Sequence, residues 1–139
     1  MKGDFTRSTF KKENHYHDVR MQQGRVQLDS DWNEQQDITA NRIETEATDL
    51  IGKSGTPYDN AGYETKPDPA DQTSLVIGTG NYYVDGFLCQ NESQDAKKYI
   101  QFVKQPDYKK DLPKAPGFYL AYLDVWQRHI TALYSRRAP

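Results

Sequence analysis

Between Met21 and Gly55 (MQQGRVQLDSDWNEQQDITANRIETEATDLIGKSG) the spacing of hydrophobic and polar positions changes period once. Val26 and Leu28, separated by Gln27, alternate as a half-buried strand does. From Trp32 onward the apolar residues recur at steps of three and four, which is the period of a helix. Ser30 and Asp31 offer side-chain oxygens to the amides of a first helical turn, and Asp31 followed by Glu34 fits a capping box. Ala40, Ile43, Ala47, Leu50 and Ile51 fall on one face, Trp32 and Gln36 extend that face backward, and Gly52 or Gly55 supplies a stop. The pattern predicts a helix over residues 30–52, which is about six turns.

The apolar stripe of this helix is thin and partly built from alanine. The opposite side carries Asn33, Gln35, Asp37, Asn41, Arg42, Glu44, Glu46 and Asp49. Such a seam either forms one wall of the domain's own core, the commoner case in small domains, or packs against another polypeptide. The sequence leaves both open.

Ahead of the helix, residues 1–20 are polar, with Phe5, Phe10, Tyr16 and Val19 spaced too irregularly for a regular element, and they read as an extended arm pinned by those side chains. Behind it, residues 53–73 (KSGTPYDNAGYETKPDPADQT) read as a long surface loop. There Pro57, Pro67 and Pro69 forbid a continuous helix or a central strand, and Tyr58 and Tyr63 serve as anchors.

From Leu75 the period drops to two. Leu75–Ile77 reads as a strand, Gly80-Asn81 as a turn or bulge and Tyr82–Val84 as a second strand. Asp85-Gly86 is a type I′ hairpin dipeptide leading into Phe87–Cys89, and Tyr99–Val103 adds a further strand. After the proline-broken stretch 104–116, Phe118–Trp126 (FYLAYLDVW) alternates aromatic and aliphatic residues and pairs with Ile130–Tyr134 across Gln127–His129. The expected architecture is α+β. It consists of an extended arm over 1–20 and an α+β domain over 21–139, whose long helix packs with an antiparallel meander over 74–134. An unprotected terminal strand rich in tyrosine and leucine invites pairing, so the sequence is expected to be the start of a longer protein.

Composition sharpens this picture. Hydrophobic residues make up 35% of the 139, and the mean hydropathy is −0.98, so apolar surface must be used efficiently or shared with neighbours. Tyrosine supplies 10 of the aromatic side chains, each pairing a large ring with a polar end, a chemistry suited to interfaces as well as cores. A net charge of −2 with scattered basic residues argues against a nucleic-acid partner. No segment approaches a membrane span, and the amino terminus lacks the apolar run of a secretory signal, so folding in the cytoplasm without a signal peptide is expected. Cys89 stands alone and reads as a small buried hydrophobe.

Several groupings invite chemistry and have plainer explanations. His15, His17 and Asp18 lack further ligands at a metal-site spacing and read as a solvated loop. Asp124, Trp126 and His129 bring a carboxylate near an imidazole without a nucleophile in context. Tyr82, Tyr83 and Trp126 suggest an aromatic platform for sugars, although strand aromatics more often belong to a core. Gly78-Thr79-Gly80 lacks the helix and lysine of a phosphate cradle, and Asp29, Asp31 and Glu34 are accounted for by helix capping without calcium. No catalytic residue, cofactor or metal is assigned, and the chain is read as a non-enzyme.

Four stretches together resemble a known group of proteins: Met1–Arg7 (MKGDFTR), Met21–Gln35 (MQQGRVQLDSDWNEQ), Tyr82–Gly86 (YYVDG) and Tyr122–His129 (YLDVWQRH). The group is the amino-terminal module of large uncharacterised bacterial proteins encoded in phage-tail-like, extracellular contractile injection gene clusters. The resemblance spans nearly the whole chain, and its second motif is long and specific. It implies a structural subunit at the baseplate or spike of a multiprotein particle, present in multiple copies and released with that particle from the cell. On this reading Phe5, Phe10, Trp32, Gln36, Ile43, Ala47 and Leu50 form the interface. The alternatives are a receptor- or glycan-binding tail-fibre module and, further off, a cell-wall hydrolase accessory.

Overall fold

The computed structural model describes residues 7–71, 73–93, 97–105, 112 and 117–130. The fold is α+β, with one long helix near the amino terminus followed by two small antiparallel sheets. Helix α1 spans Asp29–Ile51. Strands β1 (Ser54–Gly55), β4 (Gly80–Val84) and β5 (Phe87–Asn91) form one sheet in the order β1-β4-β5. Strands β2 (Thr65–Pro67), β3 (Leu75–Gly78) and β6 (Tyr99–Gln101) form the other in the order β2-β3-β6.

The helix starts slightly earlier than its sequence pattern suggests, and by a different cap. Leu28 is the N-cap, its amide donates to Asp31 Oδ2 at 3.2 Å, and its carbonyl accepts from the amides of Asp31 and Trp32. Leucine has no side-chain acceptor to return the bond, so Asp31 works as the carboxylate at the third helical position and not as the cap itself. At the other end the Gly52 amide closes on the Thr48 carbonyl at 2.8 Å. The strand expected at Val26–Leu28 does not form. Gln22–Arg25 make a turn and Val26 is exposed, because three alternating residues with no partner alongside cannot hold a ladder.

The strands expected as one continuous meander divide at Gly78-Thr79-Gly80. The β4–β5 hairpin does form, with Asp85 and Gly86 both at positive φ (49° and 85°) and Val84 paired with Phe87, as a type I′ turn requires. However, β3 pairs with β2 and β6 instead of with β4. A side chain at Gly62 would run into the Gly80 backbone and one at Gly80 into the carbonyl of Asn60, so the two glycines let the chains cross where the sheets meet. The Asn91 side chain donates to the Gly78 carbonyl at 2.8 Å, and the Thr79 amide donates to the Lys98 carbonyl at 2.9 Å, tying the sheets across this junction.

The expected loop 53–73 contains the short strands β1 and β2, and Pro67 sits on an edge strand, where its missing amide costs no ladder bond. Tyr58 is fully exposed and anchors nothing, whereas Tyr63 packs edge-on against Tyr82 with ring centroids 6.2 Å apart. Asp68 is buried and satisfied: its carboxylate accepts from the Ala70 amide at 2.9 Å and from Gln101 Nε2 at 3.0 Å, holding the β2–β3 connection to β6. Among the described residues Ile38, Val76 and Ile77 are the buried hydrophobic side chains. Residues 117–130 form no strand, so the expected Phe118–Trp126 strand is absent and Phe118, Leu120 and Tyr122 are exposed; of the partner expected at Ile130–Tyr134, Ile130 is exposed and outside any strand, and residues 131–134 lie outside the described residues.

Candidate functional site

The two faces of α1 meet different surroundings. Towards the C-terminal end, Gly55 of β1 lies against Ile51, and the Gly86 turn lies close against the Glu44 carbonyl and Thr48 Oγ1. Ser30 and Ile38 are buried, and Asn41, Thr45 and Thr48 are half-buried on the same side. The hydroxyls of Thr45 and Thr48 donate to the carbonyls four residues back, at 2.7 and 2.8 Å, which is how so polar a face tolerates burial.

The arm meets the helix on an adjoining side. Thr9 Oγ1 donates to Glu34 Oε2, the Val19 amide donates to Gln35 Oε1 at 2.7 Å, and His17 Nε2 lies 3.3 Å from Arg42 Nη1. These bonds flank Ile38 by about one helical turn on each side. The arm is therefore held by polar groups as much as by rings: Phe10 and Val19 are half-buried, Tyr16 is exposed, and Phe5 lies outside the described residues.

The apolar stripe read from the sequence is the face left over, except at its last residue, Ile51, which lies against Gly55 of β1. Trp32 is 57% exposed, Ile43 60% and Leu50 87%; Gln36 is exposed and Ala47 half-buried. At about 100° per residue these positions centre roughly 150° around the helix from the face that meets the arm and the sheet. The omission of Ile38 from the sequence stripe explains the difference. Ile38 is the apolar residue that lies off the stripe, and it is the one the fold buries.

The charge of the helix is also one-sided in sign. Asp29, Asp31, Glu34, Asp37, Glu44, Glu46 and Asp49 oppose a single cation, Arg42, which is spent on Glu46 at 3.0 Å. The stripe is bordered by Asp37 and Glu44 on one side and by the Glu46–Arg42 ion pair on the other, so its acidic rim runs along Asp37 and Glu44.

The other groupings are not assembled into sites. His17 and Asp18 belong to an exposed polar chain in which Arg20 holds Asp18 at 3.1 Å and Arg42 meets His17. Among the described residues, no three of His, Cys, Asp and Glu are gathered where they could hold a metal ion. Tyr82 and Tyr83 are neighbours on β4 and so point to opposite faces, which prevents them from forming one platform with Trp126. Trp126 is covered in part by the Arg128 guanidinium, 5.4 Å from the indole centroid, in the irregular segment that also holds Asp124 and His129. Cys89 is half-buried on β5, and burial pushes its thiol pKa up.

One cluster escaped the sequence reading because its members lie far apart in the chain. Glu64, Lys66 and Tyr99 close a triangle above Gly78: Lys66 Nζ lies 2.9 Å from Glu64 Oε2 and donates to Tyr99 Oη at 3.0 Å, and Tyr99 Oη donates to Glu64 Oε2 at 3.1 Å. The bond from Lys66 holds the Glu64 carboxyl below its ordinary range, and the bonds to Tyr99 and Glu64 raise the Lys66 ammonium. The triangle is exposed and already saturated by its own members, which makes it a clasp between β2 and β6.

Fold and site together define an α+β domain whose long helix turns an acidic-rimmed apolar stripe to solvent. The chain belongs to a family of unknown function, DUF6519, whose model matches residues 1–138. No curated protein and no solved structure matches it. No helix among the described residues is long and apolar enough to cross a membrane.

Proposed function

We propose that this chain is a structural, non-catalytic subunit of a phage-tail-like contractile injection particle, held at the baseplate or spike through α1 and the arm. The observation that carries the reading is the orientation of α1: Trp32, Ile43 and Leu50 face water while the polar side of the same helix meets the domain's own arm and sheet. Exposed apolar surface on a chain this polar marks a place where another polypeptide sits. The sequence resemblance to modules of contractile particle clusters supplies the kind of assembly. The two small sheets then hold the helix in a fixed orientation for its neighbours.

The test is incorporation. A Trp32→Asp, Ile43→Asp double variant, expressed in place of the parent in a strain that makes the particles, is expected to fold, as judged by far-ultraviolet circular dichroism of the purified chain, and to be missing from purified particles. Particles that carry the variant at parental stoichiometry overturn the docking role.

A further inference from the structure

The spacing and the border of the stripe say more about what covers it. Gln36, Ile43 and Leu50 recur at intervals of seven, and Ala40 and Ala47 recur at the same interval between them, so the seam follows the 3.5-residue period of a coiled coil. Alanines at alternate layers leave space for a second helix axis to approach closely. A groove-lining loop or a strand would use neither property.

The acidic rim then chooses among helices. A second copy of α1 would bring seven carboxylates and one guanidinium to a seam bordered by Asp37 and Glu44, and its one cation, Arg42, is already held by Glu46. A helix with lysine or arginine at the flanking positions would meet an opposite charge along Asp37 and Glu44.

We infer that the stripe of α1 receives an amphipathic helix of a different polypeptide, apolar along its seam and basic along its flanks. This rests on the docking role proposed above and adds the chemistry of the partner to it. The contact is a heterotypic helix pair, so α1 does not build a homodimer.

The experiment uses the full chain and three synthetic helical peptides: a leucine–alanine heptad seam with lysine flanks, the same seam with glutamate flanks, and lysine flanks with a serine seam. Binding is followed by fluorescence anisotropy at low and high salt, with sedimentation velocity of the chain alone. The lysine-flanked apolar peptide is expected to bind at least about tenfold more tightly than either other peptide, and more weakly as salt rises. Ile43→Asp is expected to lower that affinity at least about tenfold, and the triple variant Asp37→Lys, Glu44→Lys, Glu46→Lys to reverse the preference between lysine and glutamate flanks. The chain alone should sediment as a monomer.

Equal affinity for all peptides, binding that Ile43→Asp leaves unchanged, no binding at all, or a homodimer abolished by Ile43→Asp each overturns the inference. The two proposals fail separately. If folded variants at the stripe are still excluded from particles while the peptides show no preference, only the nature of the partner is wrong. If they assemble normally, the docking role falls as well.

Discussion

Ile38 and Ile43 lie five residues apart on the same helix and meet opposite environments, one 5% exposed and the other 60%. Five residues turn an α-helix by roughly 140°, so a single element presents one isoleucine to its own domain and the other to whatever lies outside. The difference predicts unequal costs of truncation. In urea unfolding of the isolated chain, Ile38→Ala is expected to cost about 2–3 kcal/mol, and Ile43→Ala no more than about 0.5 kcal/mol. Equal costs would place Ile43 in the core.

The crossing of Gly62 and Gly80 leaves no room for a methyl group, since a Cβ on either would meet the other's backbone within 2.9 Å. Gly62→Ala and Gly80→Ala are each expected to destabilise the chain by at least about 2 kcal/mol. Gly24→Ala is the control: φ is +77° there but nothing lies within 4 Å, so only conformational strain of roughly 1–2 kcal/mol applies. Urea midpoints that rank Gly24→Ala as the most damaging of the three would contradict the crossing.

The Glu64–Lys66–Tyr99 triangle predicts pH dependence at both ends of the scale. Glu64 has a folded pKa below its ordinary 4.5, so its contribution is present above that value and disappears as pH falls through the lowered one. Lys66 is raised above 10.5, so its contribution is present below that value and disappears as pH rises past the raised one. Lys66→Met should move the Glu64 midpoint, followed by carboxyl carbon chemical shift, back towards 4.5. An unmoved midpoint would mean that the lysine bond is not what holds it down.

Cys89 reacts through its thiolate, and burial disfavours that form. At mildly alkaline pH the folded chain should consume Ellman's reagent several-fold more slowly than the chain in urea. Equal rates would mean that β5 leaves the sulfur open to solvent.

How far the sequence carried this picture depends on the range of the interaction. The helix, its Gly52 stop and the Asp85-Gly86 turn were legible because period and φ preference act within a few residues. The edge strand at Pro67 was not, because its proline-rich stretch reads as a loop and β2 exists only by pairing with β3. The division at Gly78–Gly80 was not legible, because which strand pairs with β3 depends on residues some ten to twenty-five positions away and on a glycine crossing that neither glycine announces alone. Asp68 and Tyr99 were missed for the same reason.

The stripe shows the limit most clearly. Periodicity identified Trp32, Gln36, Ile43, Ala47 and Leu50 as sharing a face, and the structure keeps them together. It could not say which way that face points, because threonines bonded to their own helix carbonyls can line the inner side almost as acceptably as apolar residues. Phe118–Trp126 is the converse case: its alternation is that of a strand, yet among the described residues it joins no ladder.

What covers α1 in the assembled state is read directly from an electron cryo-microscopy map of purified particles with this chain located. Trp32, Ile43 and Leu50 are predicted to lie against another polypeptide in each copy. A map in which those three side chains face solvent throughout would contradict the docking role of α1.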